Sequence, residues 1–204
     1  MTTSRRRVLI PAAVLALGLI VSGCSNSTGD AAVVGDQHIT EQTLNSDVTA
    51  VLTAQGYSEN KADSSLVTQT LNWLIVMDLL GQVGNDHGVV VTQGEIDRER
   101  ASEVKSAGGA DALEAAYLKQ FVASAQINDR IKFALLAQKV ATAIAPGESN
   151  NKATAALISA VIDKSKAVNP EVNPRYGTWS SENLQLAGVP TDLSTPLPTP
   201  APSN

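Results

Sequence analysis

Cysteine, histidine and aromatic residues are scarce in this chain of 204 residues: one Cys, two His, two Trp, three Tyr and two Phe. A single cysteine excludes an intramolecular disulfide and any cysteine-cluster metal site. His38 and His87 alone leave little from which to build a histidine metal site. The chain has no Gly-x-Ser-x-Gly elbow, no glycine-rich phosphate loop and no His-Glu-x-x-His pair. The expectation is a protein that is not an enzyme and uses no cofactor and no metal. Proline is missing where it would matter most: Pro11 is followed by Pro146, so residues 12–145 contain none. With helix breakers absent there and alanine abundant, that stretch reads as helical.

The N-terminus supplies an address. Arg5, Arg6 and Arg7 form a basic patch, Val8 to Val21 is apolar, and Val21-Ser22-Gly23-Cys24 follows. This is a secretory leader layout, and the apolar run is short for a spanning helix. The Val-Ser-Gly-Cys ending resembles a bacterial lipobox. That resemblance implies cleavage between Gly23 and Cys24 and transfer of a diacylglyceryl group to the Cys24 sulfur. Two or more acyl chains give stable anchoring where one does not, so the expected location is the extracytoplasmic face of a membrane, with the bilayer as a partner through Cys24. Removing three arginines takes Lys+Arg from 15 to 12 against 20 Asp+Glu, moving the net charge from −5 to −8. An acidic exported protein has no electrostatic reason to bind nucleic acid.

The remaining chain divides by composition. Residues 1–23 are the leader, 24–31 a lipidated small-polar tether, 32–181 the folded domain, and 182–204 a disordered Pro/Thr-rich tail. Five of the nine prolines lie within residues 189–204, where Thr191, Thr195 and Thr199 are candidate glycosylation positions.

Within the domain, Ala31 to Gly35 reads as a short strand and turn, with His38 in a polar turn. Thr40 reads as the N-cap of a helix with Leu44, Val48, Val51 and Leu52 on one stripe, ending at Gly56. A second helix spans about Ala62 to Val83. Its apolar residues cover more than one face, which makes it central, and Gly84 and Gly88 end it. Trp73 sits at core spacing. Thr92 with Glu95 forms a capping box. The helix that follows carries Glu95, Asp97, Arg98, Glu99, Arg100 and Glu103, a solvated charged face rather than a cation site. A short helix spans Asp111 to Lys119, and a longer one Ala123 to Ala145. The longer helix has two stripes, Ile127-Ile131-Leu135 and Phe133-Leu136-Val140-Ile144, so it should contact neighbours on two sides. A last helix covers Asn151 to Lys166, and the proline-bounded Val168 to Gly177 should be extended. Tyr176 within it and Trp179 just after it either pack back on the domain or offer an aromatic contact for polypeptide.

Several of these segments together resemble the N-terminal chaperone domains of the SurA type. They are Val33-Val34-Gly35-Asp36-Gln37-His38-Ile39-Thr40 with Leu44, Leu71-Asn72-Trp73-Leu74-Ile75, Asp86-His87-Gly88-Val89-Val90-Val91-Thr92, and Asn173-Pro174-Arg175-Tyr176-Gly177-Thr178-Trp179. The resemblance covers about residues 31–181. It implies a mostly α, irregular multi-helix chaperone-like domain with a short strand pair joining the N- and C-terminal segments. It also implies an exported holdase for unfolded polypeptides that buries client apolar groups reversibly and without nucleotide. PrsA-type members insert a parvulin isomerase domain before the closing strand. Here the 22 residues between Ala145 and Val168 hold one helix, too few for a domain, so isomerase activity is not expected. The competing expectation is a structural or interaction lipoprotein that docks one specific envelope partner.

Overall fold

The computed structural model describes residues 29–58 and 62–188. The leader, the Gly23–Cys24 junction, most of the tether and residues 189–204 lie outside the described residues.

The described residues open with a hairpin. Strand β1 (Asp30–Val34) pairs antiparallel with β2 (Gln37–Thr40), and on its other side with β3 (Glu171–Val172). Ala32 faces Val172 and Val33 faces Glu171 across that second pairing. The ladder continues where Asn173 N–H donates to Ala31 O (2.9 Å). The opening and closing segments therefore do meet in one sheet. The folded part starts at Asp30, earlier than the tether boundary allowed, because Ala31 is fully buried under the helices. His38 lies on β2 opposite Val33 rather than in a turn, and its exposed ring bonds Asp30 Oδ2 at 2.7 Å.

Among the described residues six α-helices follow: α1 (Glu41–Ala54), α2 (Ser64–Asp86), α3 (Gln93–Ala107), α4 (Ala110–Leu118), α5 (Ile127–Ile144) and α6 (Asn150–Val168). The capping chemistry is as the residues dictate. Thr40 Oγ1 accepts from Thr43 N–H at the start of α1. Asp63 caps α2, and Thr92 with Glu95 makes both bonds of a capping box on α3.

Helix α2 is the spine, and no residue between Thr70 and Gly84 is exposed. Leu71, Ile75 and Leu79 are fully buried and pack with Val34, Leu44, Val51, Val140 and Val161 from β1, α1, α5 and α6. Helix α2 runs through Gly84 instead of stopping there. A Cβ at Gly84 would stand 2.9 Å from Leu136 Cδ1 of α5, so this glycine marks a close helix crossing. Helix α5 joins two cores. Its Leu136 and Val140 belong to the main core, with Phe133 and Ile144 packed on it. Its Ile127 and Ile131 join Ile96 of α3, Leu113 of α4 and Val122 in a second core.

The last described segment departs from expectation in two ways. Pro174–Tyr176 is a 3-10 turn instead of extended backbone, since proline is well tolerated in the first turn of a helix. Beyond it, β4 (Thr178–Ser180) and β5 (Gln185–Ala187) form a hairpin. Residues 182–188, assigned to the tail on composition, are therefore folded. The reason is Asn72 of α2, whose Nδ2–H donates to Leu184 O (3.3 Å) and whose Oδ1 accepts from Leu186 N–H (2.9 Å). Replacing Asn72 by Asp removes the donated bond and sets a carboxylate against a carbonyl. The Asn72→Asp variant should lose about 1–3 kcal/mol in denaturant titration, while the Leu186 N–H keeps its acceptor oxygen.

Candidate functional site

The site is built from two helix ends. Helix α1 stops in a Schellman motif: Gly56 is left-handed (φ 78°), Gly56 N–H donates to Thr53 O (3.0 Å), and Tyr57 N–H donates to Leu52 O (2.8 Å). That motif delivers Tyr57 to the surface. Helix α4 stops in the same bond pattern, with Phe121 N–H on Leu118 O (3.0 Å) and Val122 N–H on Tyr117 O (3.1 Å). Here the left-handed position is held by Phe121 itself (φ 58°). A bulky side chain in that region is strained by about 1–2 kcal/mol.

Tyr57 and Phe121 line one cavity of about 760 Å³. Its walls are Leu52, Ala54 and Gln55 from α1, Asp63, Ser65, Leu66 and Gln69 from the start of α2, and Leu118 from α4. Among the described residues four large hydrophobics are exposed: Tyr57 (57 %), Phe121 (48 %), Val90 (67 %) and Ile158 (50 %). Two of the four, both aromatic, share this cavity. A second, more open cavity of about 780 Å³ is lined by Val89, Val90, Leu135 and Lys139, and carries no aromatic.

Strain and exposure at Phe121 are separable. Glycine relieves the backbone and alanine does not, while both delete the ring. Phe121→Gly should therefore be more stable than Phe121→Ala by about 1 kcal/mol, read from denaturant midpoints.

Other contacts join the helices away from the cavity. The Arg130 guanidinium of α5 lies 3.3 Å above the Trp73 ring centroid, and Phe133 meets the same indole at 4.6 Å, tilted 57°. Trp73 is thus half-buried in a stack at the α2–α5 seam rather than deep in the core. Arg130 Nε is buried without a hydrogen-bond partner among the described residues, since the stack covers it. Burial pulls the Arg130 guanidinium below its ordinary pKa, and burial raises the carboxyl of Asp47 on α1. Tyr117 of α4 donates to Glu103 of α3 at 2.8 Å. Burial, then that bond, pushes the phenol up to about 12.

On the charged face of α3, Asp97, Arg98 and Glu99 are exposed, while Glu95, Arg100 and Glu103 are tied to other helices. Glu95 Oε1 accepts from Lys139 of α5 at 2.7 Å, and Arg100 donates to Asn128 at 2.7 Å. The Lys139 bond, followed by the Thr92 backbone and hydroxyl, holds the Glu95 carboxyl at about 2. A carboxyl lowered by folding stabilises above its unfolded value near 4.5, and that contribution is lost as pH falls through about 2. In acid titration, Glu95→Gln should flatten the fall in stability between those two values.

The residues singled out from sequence fall as follows. Trp179 is half-buried and its indole N–H donates to the fully buried Ser165 Oγ (2.8 Å). Tyr176 is half-buried under the Arg175 guanidinium, which also reaches Glu41 of α1 (3.1 Å). Both pack against the main core, on the closing segment. Neither lines the cavity of Tyr57 and Phe121. His38 and His87 are exposed and stand apart from it. Cys24 and Gly23 lie outside the described residues. Tyr57 and Phe121 were not anticipated. Gly56 after an apolar stripe was a usable signal for the first, whereas no glycine marks the left-handed stop that presents the second.

Among the described residues no group of three or more His, Cys, Asp or Glu is placed to hold a metal ion, and no helix is long and apolar enough to cross a membrane. No family model, curated protein or solved structure matches the chain.

Proposed function

We propose that this protein is an exported, lipid-anchored holdase that shelters apolar segments of unfolded polypeptides. The observation that carries the reading is the joint presentation of Tyr57 and Phe121 over the apolar floor of Leu52, Leu66 and Leu118. One of the two aromatics is held there in a strained backbone conformation, a feature that clusters at functional positions. An aromatic pair over an apolar floor offers a client side chain a large buried area at low ordering cost. Burial is reversible because no covalent or ionic lock is involved.

The SurA-type resemblance supports the same reading, and the strand pairing of β1 with β3 agrees with what it implies. The reading includes no isomerase activity and no cofactor. It places a diacylglyceryl thioether on Cys24. Residues 25–29 between that anchor and β1 then reach at most about 17 Å, which keeps the β1–β2 hairpin near the bilayer where exported chains emerge.

Light scattering tests the reading. Residues 25–204 at a near-stoichiometric ratio should suppress aggregation of a chemically unfolded model protein. Failure with several unrelated clients would overturn it in favour of a docking lipoprotein with one partner. The anchor is tested by the intact mass of membrane-extracted protein, where an unmodified Cys24 would contradict it.

A further inference from the structure

Arg130 of α5 is a charge without a partner. Its guanidinium lies 3.3 Å above the Trp73 ring centroid, with Phe133 against the same indole. Among the described residues it makes no hydrogen bond, and no carboxylate stands at ion-pair distance. The Tyr117 hydroxyl is committed to Glu103, and Asp47 of α1 acts on the guanidinium only through space. Nε is fully covered, but the residue as a whole is half-exposed, so Nη1 and Nη2 open to solvent. A guanidinium laid flat on an indole is a fixed fork of donors. The stack has already removed side-chain freedom that binding would otherwise have to remove. The fork stands further along α2 than the cavity. Leu66 of the cavity and Trp73 are seven residues apart on that helix. Seven residues are close to two turns, so the two share nearly one face about 10 Å apart, with Gln69 exposed between them. An extended chain covers that distance in about three residues.

We propose that Arg130 is a second contact for the same polypeptide, its Nη1 and Nη2 donating to backbone carbonyls about three residues from the apolar side chain held between Tyr57 and Phe121. The group recognised is the neutral peptide carbonyl, not an acidic side chain. Asp47 already offsets part of the Arg130 charge, and Asp129 is close enough to act on Asp47. A client carboxylate would meet those like charges on arrival, whereas a carbonyl meets no such repulsion. Carbonyls recur at every residue of an unfolded chain, so this contact adds affinity without adding sequence preference. The unpartnered fork stands on geometry alone. Its ligand rests on the holdase reading.

A peptide length series tests it. Isotope-labelled residues 25–204 are titrated with uncharged peptides capped at both ends. Each carries one cluster of apolar side chains, followed by no extension or by a Ser-Gly extension of about two to about six residues. The unextended peptide should shift the amides of Tyr57 and Phe121. Extension past about three residues should tighten binding about tenfold and move the side-chain Nε–H signal of Arg130. Arg130→Met keeps an apolar stem over Trp73 and removes the donors, and replacing a half-buried, unpaired charge in this way is compatible with folding. In that variant the unextended peptide should bind as before and the gain with length should vanish. Arg130→Lys should restore part of the gain. No gain with length, or a gain that survives in Arg130→Met, overturns the proposal and leaves the holdase standing. Tighter binding of a peptide with a glutamate in its extension than of the neutral one overturns the carbonyl assignment. Movement of the Arg130 signal with Tyr57 and Phe121 silent sinks the holdase and keeps the Arg130 contact, and silence at both places sinks both.

Discussion

The double variant Tyr57→Asp with Phe121→Asp should fold normally and lose client binding. Asp is among the residues that tolerate a left-handed backbone, so the α4 stop survives, and some of the strain at Phe121 is relieved. Tyr57 is 57 % exposed, and its backbone bonds to Leu52 do not involve its side chain. Binding, in contrast, loses both aromatic anchors and acquires two carboxylates that a client's apolar side chain would have to desolvate. An aromatic anchor at a well-packed contact is worth about 2 kcal/mol or more. The client Kd should therefore rise at least roughly 30-fold. Unchanged circular dichroism and denaturant midpoint within about 1 kcal/mol, combined with lost suppression of aggregation, is the expected pair of results. Retained suppression would place client contact elsewhere, the Val90 cavity being the next surface to examine.

The second large effect is opposite in kind. Leu79 is fully buried at the centre of α2, within the main core of β1, α1, α5 and α6. Leu79→Ala leaves a cavity that no exposed neighbour can collapse to fill, at a cost of about 3–4 kcal/mol. Against a total stability of about 5–15 kcal/mol, that is a large fraction, and Tm should fall by roughly 10 °C. Ile158, exposed by 50 % on α6, is the internal comparison. Its change to Ala should cost under about 1 kcal/mol. Equal losses at the two positions would contradict the core as described.

Periodicity made the helical part of this architecture legible. The two stripes of α5 separate, residue for residue, into its two cores, with Ile127, Ile131 and Leu135 on one and Phe133, Leu136, Val140 and Ile144 on the other. A helix that must satisfy two neighbours writes both faces into its sequence. Local capping was equally visible, because Thr40 and the Thr92–Glu95 pair act within three residues of themselves. What stayed hidden depends on distant partners. Gly84 looks like a stop until Leu136 arrives against it. Residues 182–188 look like tail until Asn72 bonds their backbone, 112 residues away in sequence for Leu184. Glu95 and Glu103 of α3 look solvated until Lys139 and Tyr117 meet them from other helices. Phe121 carries no local signal at all, since the α4 stop uses a residue that propensity would not choose for a left-handed position. The candidate site was therefore the least legible element: its two aromatics come from separate helix ends and converge only in the fold.

The central claim is that clients are held at the Tyr57–Phe121 cavity, and amide mapping tests it most directly. Isotope-labelled residues 25–204 would be titrated with an unfolded client and followed by backbone amide shifts and hydrogen exchange. The account predicts changes concentrated at Gly56, Tyr57, Gln69, Leu118 and Phe121, with the α2 core amides unmoved. Changes confined to the Val90 surface or to the β4–β5 hairpin, or saturating binding with the cavity amides silent, would contradict it.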